Sequence, residues 1–276
     1  MKASRLLAAA SCVLALAATV GQARADDGIP IDMGPENECL GFVPHLATEA
    51  TRSTIPVDVV VAYDGISLRT ARRIMAEAAK PYAPGLVGQL SPDVKLNYIA
   101  FHDVTGVLTS SEVTGFVVAE RPSGNDLMSS LIRYYRTHYP RLRRHHVHLL
   151  TSKDVWAEVA EGQRTNAVAG IANCIGSIGT KYSYSITEVG HVKPATAGPL
   201  TFYENVDAKA AAHEMGHSFG AHHHYAVCGP SAPGSLVAGR GDFCSLMTPF
   251  ADLTSMEFGP VEVAAIRGYT EAHIKH

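Results

Sequence analysis

Eleven consecutive residues constrain this chain more than any other stretch: His213-Glu214-Met215-Gly216-His217-Ser218-Phe219-Gly220-Ala221-His222-His223 fits H-E-x-x-H-x-x-G-x-x-H throughout. Positions 213 and 217 are i and i+4, so on a helix both imidazoles leave the same face and can reach one metal ion. A glycine at position 220 can adopt a positive φ, end the helix and turn the chain so that His223 offers a third nitrogen from outside it. Three neutral nitrogens leave the fourth position of a tetrahedral Zn²⁺ open to water, which is the arrangement of a reactive site and not of a closed structural one. Glu214, beside the first histidine, can take the proton of that water. A bare H-E-x-x-H could arise by chance among 14 histidines, but Gly220 and His223 at their offsets make coincidence a poor account. The pattern predicts a helix over residues 206–218, closed by Gly220.

Upstream, strands alternate with helices. Residues 57–62 form a β-branched run short enough for a buried strand, and residues 67–80 follow as a helix with Ser67 as N-cap and Pro81 as its stop. Further strands are expected over 94–101, 114–119 and 146–151. Between the last two, Leu127, Leu131, Ile132 and Tyr135 recur at helical spacing and predict a helix over 123–138. Such alternation implies an α/β fold with a mostly parallel sheet and helices on its faces. Residues 160–205, rich in Gly, Ser, Thr and Asn, read as long loops with one edge strand near 167–172. A last amphipathic helix is expected over 261–273.

The first 25 residues stand apart. Lys2 and Arg5 precede an apolar run over 6–20, and Ala23-Arg24-Ala25 is an A-x-A cleavage signal, which together read as a secretory signal peptide too short to span a membrane. Cleavage there leaves 251 residues with 20 basic and 26 acidic side chains, a formal charge of −6. No basic field points to a nucleic acid partner, no later segment could cross a membrane, and the expected location is secreted or periplasmic. Four cysteines remain, Cys39, Cys174, Cys228 and Cys244, an even number suited to two disulfides in an oxidising compartment. Residues 26–54 show no sustained periodicity and read as an irregular arm, so the folded domain is expected over 55–276. The basic run Arg141-Leu142-Arg143-Arg144-His145-His146 reads as a solvated entry to a strand, and the absence of G-x-S-x-G gives no support to a serine hydrolase.

Met247, 24 residues after His223, lies in Cys244-Ser245-Leu246-Met247-Thr248-Pro249. With the zinc motif, this resembles a metzincin metallopeptidase and its Met-turn, and the Cys-x-x-Met-x-Pro form is most similar to the adamalysin (reprolysin) branch. Residues 148–154 and Val168-Ala169-Gly170-Ile171-Ala172 resemble the same branch, the latter near its substrate cleft. The resemblance implies a twisted five-stranded sheet and active-site helix above a small C-terminal subdomain, with Gly220 at the boundary: an upper part to about 220 and a lower part over 221–276. It implies His213, His217 and His223 as zinc ligands, Glu214 as general base and acid, Met247 as an apolar floor beneath the metal, and residues 248–261 as the wall of the primed-side pocket. The implied activity is zinc-dependent endopeptidase action on a polypeptide substrate, by a monomer as the simplest state, with calcium left open.

The sequence departs from the branch in carrying His224 where many members have Asp. His222 and His224 are read as surface groups or supports of the site, since the family spacing selects His223. Cys39 is open to two readings, a thiolate that blocks the metal or a disulfide such as Cys39 to Cys174 that leaves Cys228 to pair with Cys244. Two other functions stay open: a zinc-holding binding module without proteolysis, and a zinc amidase acting on cell-wall peptides.

Overall fold

The computed structural model of the protein describes residues 29–30, 39, 54–85, 91–114, 124–160, 163–166, 168–190, 201–223, 245–247, 250–251 and 257–274. The leader reading over 1–25, most of the 26–54 arm, His224, Cys228 and Cys244 lie outside the described residues, as do 115–119 of the third expected strand.

The main sheet grows from β1 (Ile55–Asp64), which pairs in parallel with β2 (Val94–Asp103) on one side. Downstream come β3 (Glu112–Val113) and β4 (His146–Thr151), and β4 takes the other side of β1 in parallel. Between the sheet's later strands lies a hairpin of β5 (Trp156–Ala160) and β6 (Gln163–Thr165), which joins β3 in a small three-stranded sheet. The main sheet is completed by β7 (Gly170–Ala172) and β8 (Tyr184–Glu188), in the order β2-β1-β4-β8-β7. β8 runs parallel to β4, and β7 closes the edge antiparallel to β8. This is the mostly parallel α/β sheet that the alternation implied, with the five strands that the resemblance implied.

Two crossover helices cover opposite faces. α1 (Leu68–Ala78) begins where the Ser67 hydroxyl accepts from the Thr70 N–H at 3.1 Å, and Pro81 sits in the short 3₁₀ turn that follows. α2 (Leu127–His138) is capped by Asp126, whose carboxylate accepts from the Ser129 N–H at 3.0 Å, and starts four residues later than the apolar spacing suggested. On β1, Val57, Val59 and Val61 turn toward α1 while Val60 and Ala62 turn toward α2, all fully buried.

Below the α1 face runs α3 (Thr201–Ser218), five residues longer at its start than expected. From Val206 to Ala221 every residue but Asp207 is buried, so this stretch has no solvent face to show as an amphipathic stripe. Tyr82 ties it to the 3₁₀ turn: its hydroxyl donates to the Ala212 carbonyl at 2.5 Å, and its ring meets Phe219 and Phe258 edge-on. α4 (Pro260–His273) ends the described chain. The loop-rich reading of 160–205 missed β8, for a reason taken up below.

Candidate metal centre

α3 delivers His213, Glu214 and His217, all buried, from one helix. Its end is set by Gly220 at φ +103°. The Gly220 N–H donates to the His217 carbonyl and the Ala221 N–H to the Gly216 carbonyl, both at 2.9 Å, which is the paired bonding of a Schellman turn. A side chain at 220 would collide with the Tyr269 ring of α4, so close packing and the positive φ both call for glycine there. The turn brings His223 back beneath the helix.

There the three imidazoles converge. His217 Nε2 lies 3.0 Å from His213 Nε2 and 3.1 Å from His223 Nε2, and the remaining side of the triangle is 3.3 Å. Zn–N bonds of about 2.0–2.1 Å in tetrahedral array separate their nitrogens by about 3.3 Å, so the donor set has the size for such an ion. Among the described residues, these three form the one group of metal-capable side chains that converges in this way. Their other nitrogens are committed. His213 Nδ1–H donates to the Leu246 carbonyl and His217 Nδ1–H to the Ala221 carbonyl, both at 2.8 Å. A carbonyl can only accept, so these bonds place the proton on Nδ1 and leave the Nε2 lone pairs facing inward. Burial, reinforced by His217 and His223, also holds His213 well below the usual histidine range, which favours the neutral form a metal requires.

The floor is made by the segment 245–247. Ser245 accepts from the Met247 N–H at 3.0 Å and donates to Glu262 of α4 at 3.1 Å, while the Leu246 N–H donates to the Glu257 carbonyl. Met247 is fully buried, and a Cβ built on Gly216 would stand 2.7 Å from its sulfur. The helix thus rests on Met247 through a residue with no side chain.

The expected positions are brought together unevenly. His213, His217 and His223 meet, Glu214 stands beside them on the helix, and Met247 lies underneath. His222 is not part of the triangle. Cys39 is bonded to Cys174, and its N–H donates to the Ile175 carbonyl, so the sulfur is held just beyond β7 as a disulfide. Two supports escaped the sequence reading. Tyr82 bonds the residue before His213 and sits in no motif, and Gly170, though within the segment 168–172 that resembles the family near its cleft, was given no role of its own; it touches Glu214.

With that geometry in place, the resemblance can be stated: the chain is similar to zinc metallopeptidases. More narrowly, residues 99–224 match the metallo-peptidase family M12B, reprolysin-like, a span just short of half the chain that includes the whole zinc motif and stops before Met247. Among solved structures the chain is similar to the archaemetzincin of Methanopyrus kandleri, at 17% identity over 81% of this chain and 99% of that one, with a TM-score of 0.44. No curated protein matches the sequence.

Proposed function

We propose that the chain is an exported endopeptidase in which His213, His217 and His223 hold one zinc ion and Glu214 moves the proton. The observation that carries this reading is the triangle of Nε2 atoms at 3.0–3.3 Å with a buried carboxylate on the adjoining residue. Zinc held there supplies Lewis acidity toward the scissile carbonyl and lowers the pKa of a water toward about 7. Glu214 accepts the proton of the attacking water and returns it to the leaving amine. The Leu246 and Ala221 carbonyls keep both helix imidazoles in the ligating tautomer throughout. Tyr82 and Met247 keep α3 at its height.

Residues 26–54 serve in this reading as an arm tied down at Cys39, followed by a peptidase domain over 55–276 whose upper part ends near Gly220. Export rests on the leader pattern of residues 1–25, and the Cys39–Cys174 disulfide suits an oxidising compartment.

The test is cleavage of an unfolded polypeptide by the purified chain from residue 26, with metal content measured alongside. The expected result is about one zinc per chain, loss of cleavage on chelation and its return with Zn²⁺. Glu214→Ala should lower kcat by about 100- to 10,000-fold while keeping the metal. Absence of zinc would sink the reading. Zinc with no cleavage of any polypeptide would replace it with a binding module. Recovery of the full chain from the cytoplasm, uncleaved at residue 25, would remove the export part alone.

A further inference from the structure

The edge strand β7 carries no side chain where it meets Glu214. A Cβ built on Gly170 would stand 2.6 Å from Glu214 Cγ, 2.8 Å from Oε1 and 2.9 Å from Cδ, closer than real Cβ atoms approach any neighbour. The Glu214 side chain therefore lies directly against the backbone of β7, in space that any other residue at 170 would fill.

Gly170 is paired in register with Thr187 of β8. Opposed residues in an antiparallel pair share a face, with Cβ atoms about 4.5–5.5 Å apart. Ile171 and Ile186 pack in the cluster on the α2 side, so by alternation Gly170 and Thr187 both face α3. Thr187 is fully buried, and its Oγ1 has no hydrogen-bond partner among the described residues. A buried hydroxyl is costly to leave unsatisfied, and a hydroxyl donates where an ionised carboxylate can only accept.

We infer that the Gly170–Thr187 pair is the seat of the Glu214 carboxylate, Gly170 by leaving the space and Thr187 by lining it with a hydroxyl that is not hydrogen-bonded to the carboxylate in this structure and is available to it. Both are positioning residues that act through Glu214, and the inference rests on the proton-moving role proposed above. The seat fixes the carboxylate before substrate arrives, so its loss falls on turnover and not on substrate affinity.

The experiment compares the wild-type chain from residue 26 with Gly170→Ala, Thr187→Val, Thr187→Ser and Glu214→Ala, reading kcat, KM, zinc content and cooperative unfolding. Gly170→Ala should lower kcat by about 100-fold, the cost of displacing a reacting group by roughly 1 Å. Thr187→Val should lower it by about tenfold, with KM within about twofold and zinc retained, and Thr187→Ser should restore it. Wild-type kcat in Thr187→Val overturns the inference, as does a loss that appears only together with loss of zinc or of cooperative unfolding. Should Gly170→Ala fail to fold, the Val and Ser variants at 187 decide. Should the wild type itself cleave nothing, the proposed function fails and the seat is read from the Co²⁺-loaded proteins. There the visible absorption of Thr187→Val should move toward that of Glu214→Ala, and an unchanged spectrum overturns the seat.

Discussion

The two faces of the main sheet follow different rules. Toward α2, β4 and β8 turn Val147, Leu149, Tyr184 and Ile186, which join Leu127, Leu131 and Ile132 of the helix in one apolar cluster. Toward α3, the same strands turn His146, His148, Ser185 and Thr187, all fully buried, and Leu150 alone of β4 joins the apolar cluster on that side. The polar layer is knitted across the strands. Ser185 Oγ lies 3.1 Å from His146 Nε2 and 2.7 Å from His148 Nδ1, and Ser183 Oγ lies 3.0 Å from His146 Nδ1. Packing attraction has no preferred direction, whereas hydrogen bonds do. The face under α3 thus fixes the alignment of β4 with β8 through side chains, at the cost of burying groups that must stay bonded.

The largest expected effect separates the two faces directly. Leu149→Ala empties part of the α2 cluster and should cost about 2–5 kcal/mol in urea unfolding. Ser185→Ala, on the opposed face, removes bonds to two rings and should cost about 1–3 kcal/mol. Equal losses would erase the distinction between a packed face and a bonded one.

Acid should weigh most heavily on the α3 face. Burial pushes His148 down to about 3, and burial with the neighbouring His148 holds His146 well below its ordinary 6.5. As the pH falls through 6.5 the unfolded chain takes up protons that the folded chain refuses, so stability drops, and for His148 the drop continues until about pH 3. Glu188, at the end of β8, runs the other way. Burial raises it to about 7 against the Val155 N–H bond that lowers it, so between pH 7 and its unfolded value of 4.5 the folded chain binds the extra proton. The net loss should therefore steepen below 4.5. His148→Leu, compared with wild type by urea titration, should flatten the slope by up to about 1.4 kcal/mol per pH unit between about pH 4 and 6. Parallel slopes for the two proteins would mean that His148 stays charged in the fold.

This contrast also explains what the sequence could and could not disclose. The zinc motif was legible because its spacing is set by one helix and one turn, both local. β1 and β4 were legible because β-branched and apolar runs mark buried strands, and β2, a half-exposed edge strand, because residues 94–101 are largely apolar. β8 was not, because Tyr184-Ser185-Ile186-Thr187 alternates as a half-exposed strand would while both of its faces are buried, and its Ser and Thr lie among Gly- and Ser-rich neighbours. β7 was expected as an edge strand, but the demand for glycine at 170 comes from Glu214, 44 residues away in sequence. The start of α3 was set too late because residues 201–205 lie at the end of the stretch read as Gly-, Ser- and Thr-rich loops. Contacts between distant segments, not local propensity, carry these features.

The smallest effect sharpens the comparison most. Ser183 precedes β8 and bonds only the first ring of the layer, so Ser183→Ala leaves the His146–Ser185–His148 link in place. One neutral hydrogen bond is worth about 1 kcal/mol net, which sets the expected loss in unfolding. His146 keeps its edge-on contact with Phe219 just past α3, at a centroid distance of 5.5 Å, and this holds the ring where it is. Zinc content and kcat should then stay at wild-type values, since neither Glu214 nor its seat at Gly170 and Thr187 is touched. A fall in kcat without a fall in zinc would show that the layer transmits its alignment to the site itself. The bonded face would then belong to catalysis as well as to stability.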